Sequence, residues 1–185
     1  MSKADLRPYK GISPKIAKSA YVDQASCLIG DVTIGEESSI WPMVVARGDV
    51  NYIKIGDRTN IQDGSVLHVT HKNAENGFLG KPLIIGNDVT VGHKVCLHGC
   101  ILEDACFIGM GATIMDGTVV QSGAMVAAGA LVAENKVIES GWLYAGVPAK
   151  KFRELNDKEK TWLLKSAKNY VGFSKEFAQD QNLEK

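Results

Sequence analysis

Three histidines recur at fixed positions of a six-residue pattern, and their spacing points to metal chemistry. His68 and His98 each follow a leucine of the repeat, so the two imidazoles occupy the same place in successive turns. His93 lies two residues after Val91, in the six residues that precede His98. Imidazole nitrogens are common ligands of transition metals. The pattern therefore predicts a metal site that is built on a repetitive scaffold.

The scaffold is a hexapeptide repeat in which an aliphatic residue recurs every six positions, and the residue four places later is usually small or β-branched. This period does not fit an α-helix or a coiled coil, but it fits short strands joined by bends. Three such sides close one triangular coil, and stacked coils form a parallel β-helix. The small residues suit a narrow interior that bulky side chains would overpack. The repeated aliphatic positions are Val22, Leu28, Ile34, Ile40, Ile55, Ile61, Leu67, Ile85, Val91, Leu97, Leu102, Ile108, Ile114, Val120, Val126 and Val132.

An insertion interrupts the repeat between the coils that begin at Ile55 and Ile85. These residues are 30 positions apart, whereas three sides of six residues would separate them by about 18. The segment 69–82 is polar, contains glycine and ends in proline, which is typical of a loop. When this loop is set aside, His68 lies directly beneath His98, at the separation of about 4.8 Å between adjacent strands. Stacked imidazoles can bring two nitrogens within the roughly 4 Å that zinc ligands require.

His93 cannot easily join the other two histidines within one chain. It lies on the adjacent side of the triangle, five residues before His98, which is about 16 Å of extended chain with a corner between them. A site with three histidines therefore needs His93 from another copy. We expect a homotrimer with three metal sites, each shared between two chains. Three protein ligands would leave a position open for water, as in catalytic zinc sites.

The same register places further polar residues beside the histidines. Arg47 falls in the column of His68. Asp63 falls in the column of His93, one coil below it, and Gln62 is the neighbour of Asp63. Acidic or amide groups near a metal orient its ligands and its bound water. Arg47 could pair with Asp49 or Asp63 across the boundary between subunits, either near the chemistry or as a purely structural ion pair.

His71 lies in the inserted loop, three residues after His68. A lone histidine in a loop is usually only solvated. An unperturbed imidazole pKa near 6.5 would also suit a proton shuttle, and an accessory ligand is a further possibility.

Composition narrows the functional classes. The chain has 185 residues, with 21 Lys and Arg against 21 Asp and Glu, so its net charge favours neither a nucleic-acid partner nor an anionic membrane. We see no signal peptide and no membrane span, and expect a cytoplasmic protein. The four cysteines lack the close CxxC spacing of zinc ribbons and redox motifs. We expect buried free thiols, rather than disulfides or metal ligands, at Cys27, Cys96, Cys100 and Cys106.

The composition changes after Pro148, from glycine and valine to lysine, glutamate, leucine and aromatic residues. We divide the chain into a hexapeptide-repeat domain, residues 1–150 with the loop insertion 69–82, and a C-terminal helical extension, residues 151–185. Asn156 and Glu159 have the spacing of a capping box. Apolar residues at helical spacing then predict a helix over 157–178 that packs on the β-helix, and its mixed charges argue against a membrane-surface helix.

Several strings resemble the γ-class carbonic anhydrases over nearly the whole chain: RGDVNYIKIGDRTNIQDGSVLHVTH, IGNDVTVGHKVCLHGC and YAGVPAK. The resemblance implies a mainly β fold, a parallel left-handed β-helix of hexapeptide repeats with a C-terminal α-helix. It implies that His68, His93 and His98 bind the metal and that Gln62 lies near the metal-bound hydroxide.

The resemblance also implies roles for the residues around the metal. It assigns Arg47, Asp49 and Asp63 to the subunit boundary and to holding bicarbonate, and it places Asn60 near the site and Tyr144 near the pocket. The chain departs from the family pattern in two places. Val50 stands where studied members carry a glutamate, and the inserted loop lacks a matching acidic shuttle, since its Glu75 does not align by position.

The resulting hypothesis is reversible hydration of CO2 to bicarbonate by a metal-bound hydroxide, because a bound metal lowers the pKa of water to about 7. Zn²⁺ is expected, and Fe²⁺ or Co²⁺ would also accept three imidazoles. Two alternatives stay open. One is an acyl-CoA thioesterase or acyltransferase-type enzyme on the same scaffold, and the other is a non-catalytic metal-binding trimer, which Val50 keeps open.

Overall fold

A computed structural model describes residues 4–183 as a parallel left-handed β-helix of about eight turns, followed by one α-helix. This confirms the fold class predicted from the hexapeptide pattern. The helix is α1 (Asp157–Leu183). The strands are β1 (Asp5–Arg7), β2 (Lys15–Ile16), β3 (Tyr21–Val22), β4 (Cys27–Ile34), β5 (Ser39–Ile40), β6 (Val45–Ile55), β7 (Asn60–Ile61), β8 (Val66–His68), β9 (Leu83–Ile85), β10 (Thr90–Val91), β11 (Cys96–His98), β12 (Ile101–Leu102), β13 (Phe107–Ile108), β14 (Thr113–Ile114), β15 (Val119–Val120), β16 (Met125–Val126), β17 (Leu131–Val132), β18 (Val137–Ile138), β19 (Trp142–Gly146) and β20 (Ala149–Glu154).

The strands form two parallel sheets in which each strand pairs with the equivalent strand of the next coil. One sheet runs β3-β5-β7-β10-β13-β16-β19 and ends in the antiparallel strand β20. The other contains the strands that carry His68 and His98. The register pairs Leu67 with Leu97 and Ile55 with Ile85. The predicted repeat is therefore confirmed, and Ile55 pairs with a residue 30 positions later in the chain.

The interior of the coils is filled as the repeat predicts. The repeated aliphatic residues are buried, apart from Val22, which is half-buried, and the small residues four places later are buried too. Among these, Ser38 and Thr59 are polar, and their hydroxyls donate to the carbonyls of Gly56 and Gly86, at 2.6 and 2.7 Å. Buried hydroxyls that are hydrogen-bonded in this way need not destabilise the core.

Glycine follows many of the repeated aliphatic residues because the coils approach each other closely there. A Cβ atom on Gly56 would lie 2.7 Å from the backbone carbonyl of Gly86 in the next coil. Any larger residue would push the coils apart, so this glycine protects the stacking on which the columns of side chains depend.

The insertion folds back on itself as a hairpin-like loop. Thr70 bridges Lys81, and Asn73 bridges Phe78. The amide of Asn51 donates to the backbone carbonyls of Thr70 and Leu79, at 3.1 and 3.3 Å. The loop is therefore attached to the coil beneath it rather than merely looped out.

Helix α1 begins where the capping box predicts. The Asn156 side chain accepts from the Glu159 backbone at 3.0 Å, and the Glu159 side chain accepts from the Asn156 backbone at 3.0 Å. The helix runs five residues beyond the predicted end at Ala178, since no glycine or proline follows to stop it. It packs on β3, β5, β7 and β10. No helix among residues 4–183 is both long enough and apolar enough to cross a membrane.

The predicted division at residue 150 falls inside β20, which pairs with β19, so the two parts are joined by a hairpin. The division itself stays a prediction, and residues 1–3 and 184–185 of its two parts lie outside the described residues.

All four cysteines are free: Cys100 and Cys106 are buried, whereas Cys27 and Cys96 are half-buried. Burial raises the pKa of Cys106 to about 12.

The capping box gives a direct test of how α1 is anchored. Asn156→Ala removes the acceptor for the Glu159 backbone amide and should lower the free energy of unfolding by about 1 kcal/mol, measured by urea denaturation. Asn156→Ser keeps an acceptor and is the control, so equal losses in the two variants would contradict this role.

Candidate metal centre

His68 and His98 lie directly opposite each other on neighbouring strands, as the repeat predicts. They pair in the register of β8 and β11. The Nδ1 atom of His68 lies 3.0 Å from the Nε2 atom of His98, and the ring centroids are 5.0 Å apart. The parallel ladder holds the two backbones at strand spacing, and this brings one nitrogen of each ring together.

The remaining nitrogen of each ring contacts a carboxylate. The Nε2 atom of His68 lies 3.0 Å from Asp49, and the Nδ1 atom of His98 lies 2.7 Å from Asp116. An ionised carboxylate can only accept a hydrogen bond, so each carboxylate holds the proton of its ring. The two nitrogens that face each other are then left with lone pairs.

Both carboxylates are held in the ionised form. Burial opposes ionisation of Asp49, but hydrogen bonds from His68 and Arg47 lower its pKa below the ordinary value. Burial opposes ionisation of Asp116 in the same way, but hydrogen bonds from Thr70 and His98 lower the pKa of this group too. The histidines therefore face permanent acceptors at neutral pH.

These contacts fit a metal ion. Two lone pairs that face each other repel unless a cation lies between them, and burial lowers the pKa of His68, which makes a proton a poor occupant. The observed 3.0 Å separation is close to the roughly 3.4 Å between two nitrogens bound tetrahedrally to zinc. Carboxylates behind metal-binding imidazoles are a common way to orient the ligands.

Asp116 and Thr70 are site residues that sequence reasoning missed. Asp116 follows β14, one coil above His98, and Thr70 lies in the insertion and donates to the same carboxylate. The register of the repeat could have identified Asp116. Because Leu97 pairs with Ile114, the residue opposite His98 is Met115, and Asp116 is its immediate neighbour. Nothing in the sequence indicates that Thr70 folds back from the loop.

Arg47 lies in the predicted column, since its neighbour Ala46 pairs with Leu67. Its guanidinium forms an ion pair with Asp49 of the same chain and remains half exposed. Within one chain, Arg47 therefore contacts Asp49, and the expected pairing of this arginine across the subunit boundary stays a prediction.

His93 lies on the other sheet, just after β10. Its Nδ1 atom is 2.9 Å from Asp63, one coil below, as the register predicts. The side chain of His93 is 43% exposed. Within residues 4–183 of one chain, no three His, Cys, Asp or Glu side chains come together in a way that could hold a metal ion.

Gln62 and His93 line one cleft of about 420 Å³ between α1 and the sheet that contains β10. The Nε2 atom of Gln62 donates to Oδ1 of Asn60 at 3.1 Å. Most of the cleft wall is apolar, and it includes Phe107, Met125, Leu143, Trp162 and Tyr170.

His71 and Tyr144 are the two other residues that the sequence analysis singled out. His71 is exposed in the insertion. Tyr144 lies in β19 and packs in the core, and its hydroxyl donates to Glu139 at 3.2 Å. The placement of Tyr144 near the pocket stays a prediction.

Comparisons with known proteins find close relatives. No family model matches the chain. The protein YrdA of Escherichia coli is 54% identical over 177 residues, which cover 96% of each chain. The mitochondrial gamma carbonic anhydrase 2 of Arabidopsis thaliana is 47% identical over 170 residues, 92% of this chain and 60% of that protein. The carbonic anhydrase of Geobacillus kaustophilus is 44% identical over 166 residues, 90% of this chain and 87% of that protein.

The chain belongs to the γ-carbonic anhydrase family. Members of this family depend on a metal cofactor, in keeping with the facing nitrogens of His68 and His98.

Two solved structures have the same fold as this member of the γ-carbonic anhydrase family. A hexapeptide transferase family protein from Anaplasma phagocytophilum has a TM-score of 0.86 at 41% identity, covering 94% of this chain and 98% of that one. A putative acetyltransferase from Bacillus cereus has a TM-score of 0.87 at 41% identity, covering 94% and 96%.

The carboxylates predict the tautomers of the two histidines. In the metal-free protein at about pH 8, above the ordinary histidine pKa, His68 should carry its proton on Nε2 and His98 on Nδ1. Long-range ¹⁵N–¹H correlation spectra distinguish these forms. Asp116→Ala should remove the preference of His98 for the Nδ1-protonated tautomer and should leave the tautomer of His68 unchanged. Finding the opposite tautomers in the unmodified protein would refute the assignment.

Proposed function

We propose that this protein is a metal-dependent carbonic anhydrase that catalyses the reversible hydration of CO2 to bicarbonate at sites between subunits. The observation that supports this most strongly is the pair of facing nitrogens on His68 and His98, each backed by a carboxylate. Relatives named carbonic anhydrase that are 44–47% identical support the same activity.

His68, His93 and His98 are the proposed metal ligands. Zn²⁺ suits three imidazoles, and Fe²⁺ or Co²⁺ would be accepted by the same donors. When bound, the metal would lower the pKa of a water molecule to about 7. Asp49, Asp63 and Asp116 each hold one nitrogen of a histidine and leave the other nitrogen as the donor.

Gln62 and Arg47 have complementary proposed roles. The Nε2 atom of Gln62 is occupied by Asn60, so its Oε1 atom is the one that can accept a hydrogen bond from a water molecule or hydroxide. Arg47 is a half-exposed cation whose partner Asp49 contacts His68. A guanidinium there can hold the bicarbonate anion, because it offers paired donors to a planar carboxylate-like group.

The homotrimer is proposed because the two halves of the ligand set lie on different surfaces of the chain. Beside His68 and His98 runs an outward column of mainly apolar residues, Cys27, Val45, Val66, Cys96, Thr113 and Leu131. Beside His93 lies the apolar cleft described above. A second copy that packs its column against this cleft would bury both surfaces and complete the ligand set.

Proton export would use His71 in the exposed loop, Glu75 or buffer. The position after Asp49 carries Val50, which is 39% exposed and cannot transfer a proton. We therefore propose that hydration is slower than in relatives with an acidic group there. The cytoplasmic location also remains a prediction.

A second candidate is an acyltransferase or thioesterase that acts on acyl-CoA. It is favoured by the Bacillus cereus relative, which is named a putative acetyltransferase. Binding of CoA without a metal, together with a requirement for one histidine only, would support this alternative.

The deciding experiment is stopped-flow CO2 hydration by protein of measured metal content. Activity should rise in proportion to bound metal and should be lost in His98→Ala, because that variant removes one of the facing nitrogens. Absence of activity at full metal occupancy would reject the hydration reaction and would favour the acyl-CoA or the non-catalytic alternative.

A further inference from the structure

A chain of four buried polar side chains connects helix α1 to Gln62. The hydroxyl of Thr90 lies 3.0 Å from the hydroxyl of Ser166, on α1. The Nδ2 atom of Asn60 lies 3.0 Å from the Thr90 hydroxyl, and the Nε2 atom of Gln62 lies 3.1 Å from Oδ1 of Asn60. None of the four residues is more than 5% exposed.

The direction of the hydrogen bonds along this chain is determined at one end. The Nδ2 atom of Asn60 also lies 3.3 Å from the backbone carbonyl of Val89, and a carbonyl can only accept. The amide nitrogen of Asn60 must therefore face Val89 and Thr90, and its Oδ1 atom must face Gln62. Because Oδ1 can only accept, Gln62 turns Nε2 toward Asn60 and directs Oε1 away from it.

The other end depends on Ser166. The Thr90 hydroxyl accepts a hydrogen bond from the amide of Asn60 and donates its own proton in a hydrogen bond to Ser166. With that acceptor, both Val89 and Thr90 favour the same orientation of Asn60. Without it, the proton of the buried Thr90 hydroxyl would gain an acceptor if Asn60 turned over and offered Oδ1, and only the Val89 carbonyl would still oppose that orientation. A turned Asn60 would present its amino group to Gln62 and would reverse Gln62 as well.

We propose that Ser166 and Thr90 are positioning residues, which act through Asn60 so that Gln62 presents a carbonyl oxygen to the cleft. The inference rests on the proposed function, in which Gln62 orients a water molecule or hydroxide. A reversed Gln62 would offer N–H groups, which donate hydrogen bonds to an oxygen and cannot accept one from a water molecule or hydroxide. Helix α1 then contributes to the site as well as covering the sheet.

Packing alone offers a different role for Ser166, and α1 contains a control for it. Ser174 is also buried on α1, at 5% exposure, and its hydroxyl donates to the backbone carbonyl of Val171 in its own helix, at 3.1 Å. Ser174→Ala therefore removes a buried hydroxyl without touching the chain to Gln62. Ser166→Ala removes the hydroxyl that accepts the hydrogen bond from Thr90 at the end of that chain.

The kinetic test compares these variants in metal-loaded protein. Ser166→Ala should lower kcat for CO2 hydration by about threefold to tenfold with KM little changed, and Ser174→Ala should leave kcat at the wild-type value. Thr90→Val, which keeps the shape of the side chain, should resemble Ser166→Ala, whereas Thr90→Ser keeps the hydroxyl and should retain activity.

A second readout does not require activity. In metal-free protein, Ser166→Ala should shift the side-chain amide resonances of Gln62 and Asn60, and Ser174→Ala should not. If the unmodified protein has no hydration activity, the proposed function fails while this readout still tests the positioning. Unshifted amide resonances, or equal kcat in Ser166→Ala and Ser174→Ala, would overturn the proposal.

Discussion

The register between β8 and β11 is the constraint on which the rest of the site depends. Parallel pairing sets His68 opposite His98 with no freedom to slide, because the inward leucines beside them, Leu67 and Leu97, are fully buried. A shift by one residue would turn the histidines inward and the leucines outward. The energy of the hydrophobic core thereby holds two basic nitrogens at a separation that their lone pairs alone would not favour.

Polar contacts then refine what the register brings together. Asp49 and Asp116 select which nitrogen of each ring faces its neighbour, and both carboxylates lie outside β8 and β11 themselves. Asp116 also accepts from Thr70, so the inserted loop and the coil above meet at one carboxylate. The arrangement is typical of metal sites, in which carboxylates behind the imidazoles orient the ligands.

Much of this could be predicted from the sequence because the repeat converts spacing into position. The pairing of His68 with His98 and of His93 with Asp63 follows from counting in sixes, and the start of α1 follows from Asn156 and Glu159. Contacts made outside the repeat could not be predicted in this way. Thr70 returns through a loop of irregular shape, and Ser166 reaches Thr90 from a helix 76 residues away, so no period relates them. The resemblance alone suggested Tyr144, which the structure places in the core.

We propose that each metal site takes His68 and His98 from one chain and His93 from another. The most direct test mixes unfolded His93→Ala and His98→Ala chains in equal amounts, refolds them together and measures bound metal per chain. Neither variant alone should hold metal tightly, whereas random mixing should restore about one quarter of the sites, because that fraction of interfaces joins two intact halves. Recovery of no sites on mixing, while the unmodified protein refolds with full metal, would contradict a shared site.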